Sequence, residues 1–534
     1  MCLDLEPRIS HDSRPALKFW QRLSGIPGGP APRKHNVTKT QPRDMKSKPE
    51  LNPEAVRPGG LPPWGKDELP EPLPFSAKNM FKTIGPGAIL LATSIGGGEW
   101  LVGPAMGVQF GTSVFWIATL AIALQLIFNL EAIRYTLYTG EPIFSGFMRL
   151  RPGSRFWATF YVLLTAVQLG VPALAAACAP VLFAAFTSRL PGAPDATRLL
   201  LITYGVIGFG LLILLFGGTI ERMLEYASWA MLAYIFIFLL TVNIFFVPLS
   251  VWGRTFAGFF SFGSIPGGVD LMLLGALAAT AGSGGIGNLT ITNWVRDKGF
   301  GMGAKVGAIP SAFGSKEIKL SHVGKVFPIN AENMRRWNVW WKYLNADQVW
   351  LWGLGCFLGM FLNVNLATAI IPQGTNLSGV AAGAFQAHYL AEHLWSGFWI
   401  LALLNGFWIL FSTHMGNTDI LIRTITDIIW VGSNKARGWQ GGDIRKIYYG
   451  LLLGFTVWGM IAVNWGNAMT LFKFLANVAG FVLAVAGIQV LMVNTRLLPR
   501  ELQAPMWRKA ALVLCSAFYT IISIMVAWTA IESW

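Results

Sequence analysis

Charge is scarce in this chain. Of its 534 residues only 13% are Asp, Glu, Lys or Arg, about half the share of an ordinary soluble domain. Cysteine is rarer still: Cys2, Cys178, Cys356 and Cys515 are scattered, and no two have metal-ligand or disulfide-framework spacing. Three of them sit in apolar runs and read as packing residues. No G-x-x-x-x-G-K-[ST] stretch occurs, which excludes a P-loop and argues against ATP-driven work. The Gly-rich peptide at 301–317 follows no strand pattern, so it is no dinucleotide fingerprint. No constellation of nucleophile, base and acid stands out, and neither an enzyme nor a cofactor is expected. Short alternating strands are missing too, which excludes a membrane β-barrel.

What is abundant is apolar length. Residues AVILMFWYC make up 54% of the chain, and the mean hydropathy is +0.51. Runs of about 20 apolar residues, enough to cross a bilayer as a helix, recur from about residue 84 onward. They read as eleven spans, near 84–107, 112–134, 157–186, 198–216, 224–247, 269–293, 347–371, 398–429, 447–464, 468–494 and 510–533. The net charge of +15 is explained by where the cations fall, not by nucleic acid. Arg149, Arg151 and Arg155, the nine Lys and Arg of the 294–346 loop, and Lys435, Arg437, Arg445, Lys446, Arg496, Arg500, Arg508 and Lys509 occupy every second connection. By the positive-inside rule the N-terminus is cytoplasmic and the C-terminus outside, in a bacterial-type inner (plasma) membrane. Residues 1–78 are Pro-rich and charged, without an apolar period, and predict a disordered cytoplasmic tail before an eleven-helix membrane domain over 79–534.

Two spans are interrupted by glycine. The first contains SIGGGEW (94–100) and the sixth TAGSGGIGNLTITNW (280–294). They are five spans apart, so they hold matching places in two five-helix halves, with an eleventh helix left over. Such paired breaks point to a transporter's substrate site, because unwound backbone at membrane depth is tolerated only where protein buries it or it lines a cavity. The competing explanation is close helix packing.

The first span resembles the Nramp (natural resistance-associated macrophage protein) family of divalent-metal transporters. That family's pattern is G-P-G, eight residues, D-P-G-N and W, then Q-F-G and W. Here Gly85-Pro86-Gly87 is followed by eight residues, by Gly96-Gly97-Gly98-Glu99-Trp100, and then by Gln109-Phe110-Gly111 and Trp116. Thr139-Gly140 matches a further family pair, and the eleven-span layout fits over about 80–534. The resemblance implies an all-α membrane protein with a LeuT-like 5+5 inverted repeat, an eleventh helix, and helices 1 and 6 broken. The departures fall on the site. Gly96 stands at the metal-binding Asp and Glu99 at the Asn. In the sixth span Gly282 stands at the carbonyl-donating Ala, Gly285 at the soft Met and Gly287 at a His, while Asn288 is kept. Thr292 replaces a second His. Loss of the thioether with one carboxylate retained points to a harder cation such as Mg²⁺ or Mn²⁺.

Ionisable residues in apolar spans are functional candidates by default. The expected cation ligands are Glu99 and Asn288, with the carbonyls near Gly96, Gly282 and Gly285 and the Asn477 side chain completing the site. Glu99 reads alternatively as a helix cap. His414, the i,i+4 pair Asp419 and Arg423, and the i,i+3 pair Glu131 and Arg134 are candidates for coupling or gating. Asp270 reads as a helix N-cap and Gln168 as pore-lining. The expected function is a secondary active transporter of a divalent cation working by alternating access, with proton linkage left open. The alternative keeps the fold and carries an amino acid or another small organic solute.

Overall fold

The structure, a computed structural model, describes residues 58–534 apart from 216–219, 311–319, 378, 380, 382, 439–441 and 533–534. Among the described residues, nine helices are long and apolar enough to cross a membrane. They are spans 2 (Trp116–Thr139), 3 (Ser154–Thr187), 4 (Ala193–Leu215), 5 (Ile220–Phe246), 7 (Ala331–Ile370), 8 (Phe398–Gly432), 9 (Ile444–Trp465), 10 (Ala468–Leu497) and 11 (Met506–Glu532). The other two spans are broken. Span 1 runs as 1a (Pro86–Ser94), a wide turn (Gly98–Val102) and 1b (Gly103–Phe110). Span 6 runs as 6a (Leu271–Thr280) and 6b (Ile286–Asp297). Nine whole and two broken spans make the expected eleven, and the fold is the helical 5+5 repeat with span 11 packed on spans 10, 6a and 2.

The spans sort by burial. In the most apolar stretch of spans 2, 3, 7 and 8, 67% or more of the residues are buried inside the protein, against 28% for spans 4 and 11. The outer spans present Leu201, Phe209, Leu212, Val513, Ile521 and Ile524 outward, as a bilayer requires. The broken spans lie against the inner ones, with every residue of 1a buried.

Two boundaries differ from the sequence expectation. Span 7 begins at Ala331, not near 347. Asn330 caps it, its side-chain oxygen accepting from the Asn333 N–H at 2.8 Å, and the added turns are polar enough to escape a hydropathy reading. The second concerns the supposed tail. Residues 1–57 lie outside the described residues, but 58–76 are laid as a strap across the end of the bundle that carries the basic connections. Gly65–Lys66 (β1) pairs parallel with Lys325–Val326 (β2). Asp67 bridges Lys305 (3.1 Å) and Lys325 (2.9 Å). Leu69 is fully buried, and the carbonyls of Pro62, Leu69, Pro70 and Pro74 accept from Arg149, Arg336, Trp340 and Tyr343. The strap is held by backbone groups and a few ion pairs, a mode of attachment that leaves no hydrophobic period in the sequence. It leads through a short helix, Ala77–Thr83, into span 1a.

Candidate functional site

The break in span 6 is made by two glycines in the left-handed region, Gly284 (φ +69°) and Gly285 (φ +60°), a conformation costly for any residue with a Cβ. Breaking a helix frees backbone groups that must be satisfied inside the protein. Two buried amide side chains do this. Gln125 of span 2 donates to the Ala279 carbonyl at 3.3 Å and accepts from the Gly284 N–H at 3.3 Å. Gln168 of span 3 donates to the Gly284 carbonyl at 3.2 Å and accepts from the Ile286 N–H at 3.1 Å. A glutamine carries both donor and acceptor on one planar group, so each can bind an N–H and a C=O at once. Tyr519 of span 11 anchors Gln125 at 2.7 Å. Gln125 was not singled out in the sequence, where one amide in a span is no stronger a signal than any other polar residue.

In span 1 the three consecutive glycines serve three close approaches. A Cβ on Gly96 would overlap the Thr413 side chain of span 8, one on Gly97 the Phe472 ring of span 10, and one on Gly98 the Thr280 carbonyl of span 6a. The hydroxyls of Ser412 and Thr413 donate to the carbonyls of Ala92 (2.8 Å) and Ile95 (3.2 Å). The two breaks touch: the hydroxyl oxygens of Ser94 and Ser283 are 2.6 Å apart, and the indole N–H of Trp352 in span 7 donates to both, at 3.0 and 3.1 Å.

Beside this contact lies a cavity of about 360 Å³. Its polar lining is Thr93, Ser94, Thr280, Ser283, Gln168, Thr413 and Asn417, with backbone at Gly97, Gly98, Gly282 and Gly284, and an apolar wall from Phe472, Leu475, Ala476 and Ala479. Every polar side chain in it ends in a hydroxyl or an amide. A second cavity of about 260 Å³ shares Leu169, Asn417 and Leu475 with the first and reaches His414 where span 3 is interrupted at Pro172.

The expected site residues are only partly gathered here. Gly282 lines the cavity and Gly96 and Gly285 flank it. Glu99 is fully buried but absent from the lining; its Oε2 accepts from the Gly96 N–H at 2.9 Å, while Oε1 has no hydrogen-bond partner. The carboxylate thus bridges its own break, holding an N–H three residues upstream and not one at the start of span 1b. Asn288 also lies outside the lining and donates to Asn129 Oδ1 at 2.9 Å. Asn477 points to the far end of span 6a, donating to the carbonyls of Met272 (3.2 Å) and Lys473 (2.8 Å). Asp270 caps that helix by accepting from Met272 and Leu273 at 2.9 and 3.1 Å. Among the described residues, no group of three or more His, Cys, Asp or Glu is placed to hold a metal ion.

Of the coupling candidates, His414 lies at the second cavity, and the two ion pairs belong to two buried charge clusters toward the basic end. Asp419 pairs with Arg423 at 2.8 Å and accepts from Trp294 (2.8 Å) and Tyr448 (2.6 Å). Arg423 continues to Asp297, which Arg296 joins at 2.7 Å, and Arg296 reaches Asp427 at 2.9 Å. Two arginines and three aspartates therefore tie span 6b to spans 8 and 9. Glu131 pairs with Arg134 at 2.6 Å and with Arg508 of span 11 at 3.0 Å, while Trp341 stacks on the Arg134 guanidinium at 4.2 Å. Neither cluster lines the cavity.

No protein-family model and no curated protein sequence matches the chain. Solved structures do match it. A manganese transporter of Eremococcus coleocola, in complex with an aromatic bis-isothiourea substituted compound, superimposes with a TM-score of 0.57 at 14% identity, over 86% of this chain and 89% of that one. The chain has that transporter's fold. A histidine-to-alanine and a glutamate-to-alanine variant of the same transporter each give 0.58 at 16% identity with the same coverage.

Proposed function

We propose that the chain is a secondary transporter that carries a hard divalent cation, Mg²⁺ or Mn²⁺, by alternating access to the cavity between its two broken spans. One observation carries the reading. The cavity where the breaks meet offers only oxygen donors, from five hydroxyls, two amides and glycine backbone, with no sulfur and no imidazole in its lining. Oxygen sets of this kind suit Mg²⁺ and Mn²⁺ and disfavour softer metals. Mg²⁺ keeps several waters, so the hydroxyls, amides and carbonyls of this lining need supply only part of its oxygen shell. The fold of a manganese transporter supports the same cargo class.

In this reading Glu99 supplies the negative charge. It follows Gly98 of the cavity wall and keeps Oε1 uncommitted. The driving force is the membrane potential, worth about 2.3 kcal/mol per charge per 100 mV. His414, at the wall of the adjoining cavity, is the candidate for a linked proton. The basic end, carrying the 294–346 connection, faces the cytoplasm of a bacterial plasma membrane, with the C-terminus outside.

A second reading is favoured by one specific feature. Glu99 is tied to the Gly96 N–H, which leaves the lining itself neutral. A neutral hydroxyl-and-amide cavity also suits a small polar organic solute such as an amino acid, its carboxylate drawn to the start of span 6b. Uptake into proteoliposomes separates the two: saturable Mg²⁺ or Mn²⁺ flux lost in Glu99→Gln supports the cation, and amino-acid flux indifferent to both metals supports the solute.

A further inference from the structure

Asp347 took no part in the sequence reading, yet it occupies a pivotal place. It lies in a widened turn of span 7 (Ala346–Gly353) and is fully buried. Its Oδ1 accepts from the Gly85 N–H at 3.0 Å and its Oδ2 from the Gly87 N–H at 2.8 Å, the first turn of span 1a. Oδ2 also accepts from Gln348 Nε2 at 2.9 Å. From there the chain continues: Asn129 of span 2 donates to Gln348 Oε1 at 3.3 Å, and Asn288 of span 6b donates to Asn129 at 2.9 Å. One carboxylate is thus joined to the first half of span 1 directly, and to the second half of span 6 through two amides.

We infer that Asp347 is a proton-binding site that couples protonation to displacement of span 1a. The inference rests on the alternating-access reading above. In the arrangement seen, three N–H donors hold the carboxylate, and N–H donors stabilise its charged form. No Lys, Arg or His forms an ion pair with it among the described residues. The charged group near it is Glu225 of span 5, which engages Lys298 after span 6b; Lys298 also stands 4.0 Å from Glu221. Glu225 also lies against Gly85, where a Cβ would come 2.6 Å from Glu225 Oε1. When span 1a moves away, Asp347 loses the two backbone donors and keeps the like charge of Glu225 nearby. Its neutral form is then favoured. By linkage, a proton on Asp347 loosens span 1a to the same degree that moving span 1a favours the proton.

The test reads position, not flux. Spin labels go on Lys82→Cys, exposed on the helix before span 1a, and on Lys342→Cys, exposed on span 7, in a chain whose four native cysteines are replaced. Their separation is measured by double electron–electron resonance between about pH 8 and about pH 5. The long-distance population should rise on acidification by up to roughly tenfold, the effect of a one-unit difference in proton affinity between the two positions. Asp347→Asn should abolish the pH response, and Asp347→Glu should keep it with a shifted midpoint. A pH-independent distance in the otherwise native chain overturns the inference even if the variants fail to fold, and so does an unchanged response in Asp347→Asn. A preserved response with no flux of any cargo would instead overturn the proposed transport.

Discussion

The hydroxyl oxygens of Ser94 and Ser283 lie 2.6 Å apart although 189 residues separate them in the chain. Ser94 is the last residue of span 1a, Ser283 lies in the unwound stretch between spans 6a and 6b, and Trp352 donates to both. The contact joins the two halves of the repeat at one wall of the cavity. Ser283→Ala should leave a fold that melts within about 1–3 kcal/mol of the original, the usual cost of an unmet buried polar group. Because both serines line the cavity, it should also raise the cargo concentration for half-maximal uptake. A thermal melt in detergent and an uptake curve check both.

The glutamine clamps carry a larger cost. Gln168→Leu strands the Gly284 carbonyl and the Ile286 N–H in a dry place, at about 1–3 kcal/mol per group. Gln168→Glu keeps the acceptor for the Ile286 N–H, but its carboxyl must hold a proton in this buried place to serve the Gly284 carbonyl. The Leu variant should therefore melt lowest, the Glu variant should fall between, and the original should melt highest. Equal melting of all three would mean that span 6 holds its break without help.

Close approach at Gly98 predicts a steric effect. A methyl group there meets the Thr280 backbone carbonyl, which cannot rotate aside as a side chain can. Gly98→Ala should cost about 1–3 kcal/mol through overpacking and should abolish uptake. Gly454→Ala on span 9, where a Cβ meets nothing within 4 Å, is the matched control and should change neither.

The strap responds to acid with a defined sign. The side-chain hydrogen bond from Lys325 outweighs the effect of burial on Asp67 and holds its pKa at about 2, below the ordinary 3.8. Its contribution is therefore complete above about pH 4 and is lost as pH falls through about 2. Between spans 2 and 3, burial alone would push Glu141 up, but Arg149 at 2.6 Å overrides it and lowers the pKa, so this pair fails in the same direction. Pepsin cleavage within 58–76, mapped by mass spectrometry, should rise as the pH falls from about 4 to about 2. Asp67→Asn should show the rise already at about pH 4, by a few-fold at most, since a partly exposed pair is worth only about 0.2–1 kcal/mol.

Removing one charge from the inner cluster should be costly. Arg423 is fully buried between Asp419 and Asp297, and its loss leaves two carboxylates uncompensated. Arg423→Leu should destabilise by about 3–5 kcal/mol. Adding Asp419→Asn should recover part of the loss in melting temperature.

Hydropathy and glycine placement made the spans and their two breaks legible, because length in a bilayer and a missing Cβ are local properties. Direction was not. Whether Glu99 faces the cavity or caps its own turn depends on how a wide turn at 98–102 rotates the side chain, and no periodicity encodes that. Asn288 was chosen for its place after the break, but its partner is Asn129, on another span. Asn477 directly follows Ala476 of the cavity wall but faces span 6a instead. The strap and the first turns of span 7 were missed because both are polar on average: the strap is held mainly by backbone hydrogen bonds and ion pairs, and the span 7 turns bury only one face, Trp337, Trp340, Tyr343 and Leu344.

Cation flux is the most direct measurement. Purified protein in liposomes, with an inside-negative potential, is offered Mg²⁺, Mn²⁺ or an amino-acid mixture separately, as the original chain, as Glu99→Gln and as Asn417→Leu. The account predicts saturable uptake of at least one of the two cations, weakened by Asn417→Leu, which narrows the cavity, and abolished by Glu99→Gln. Uptake of amino acids with no flux of either metal would contradict it.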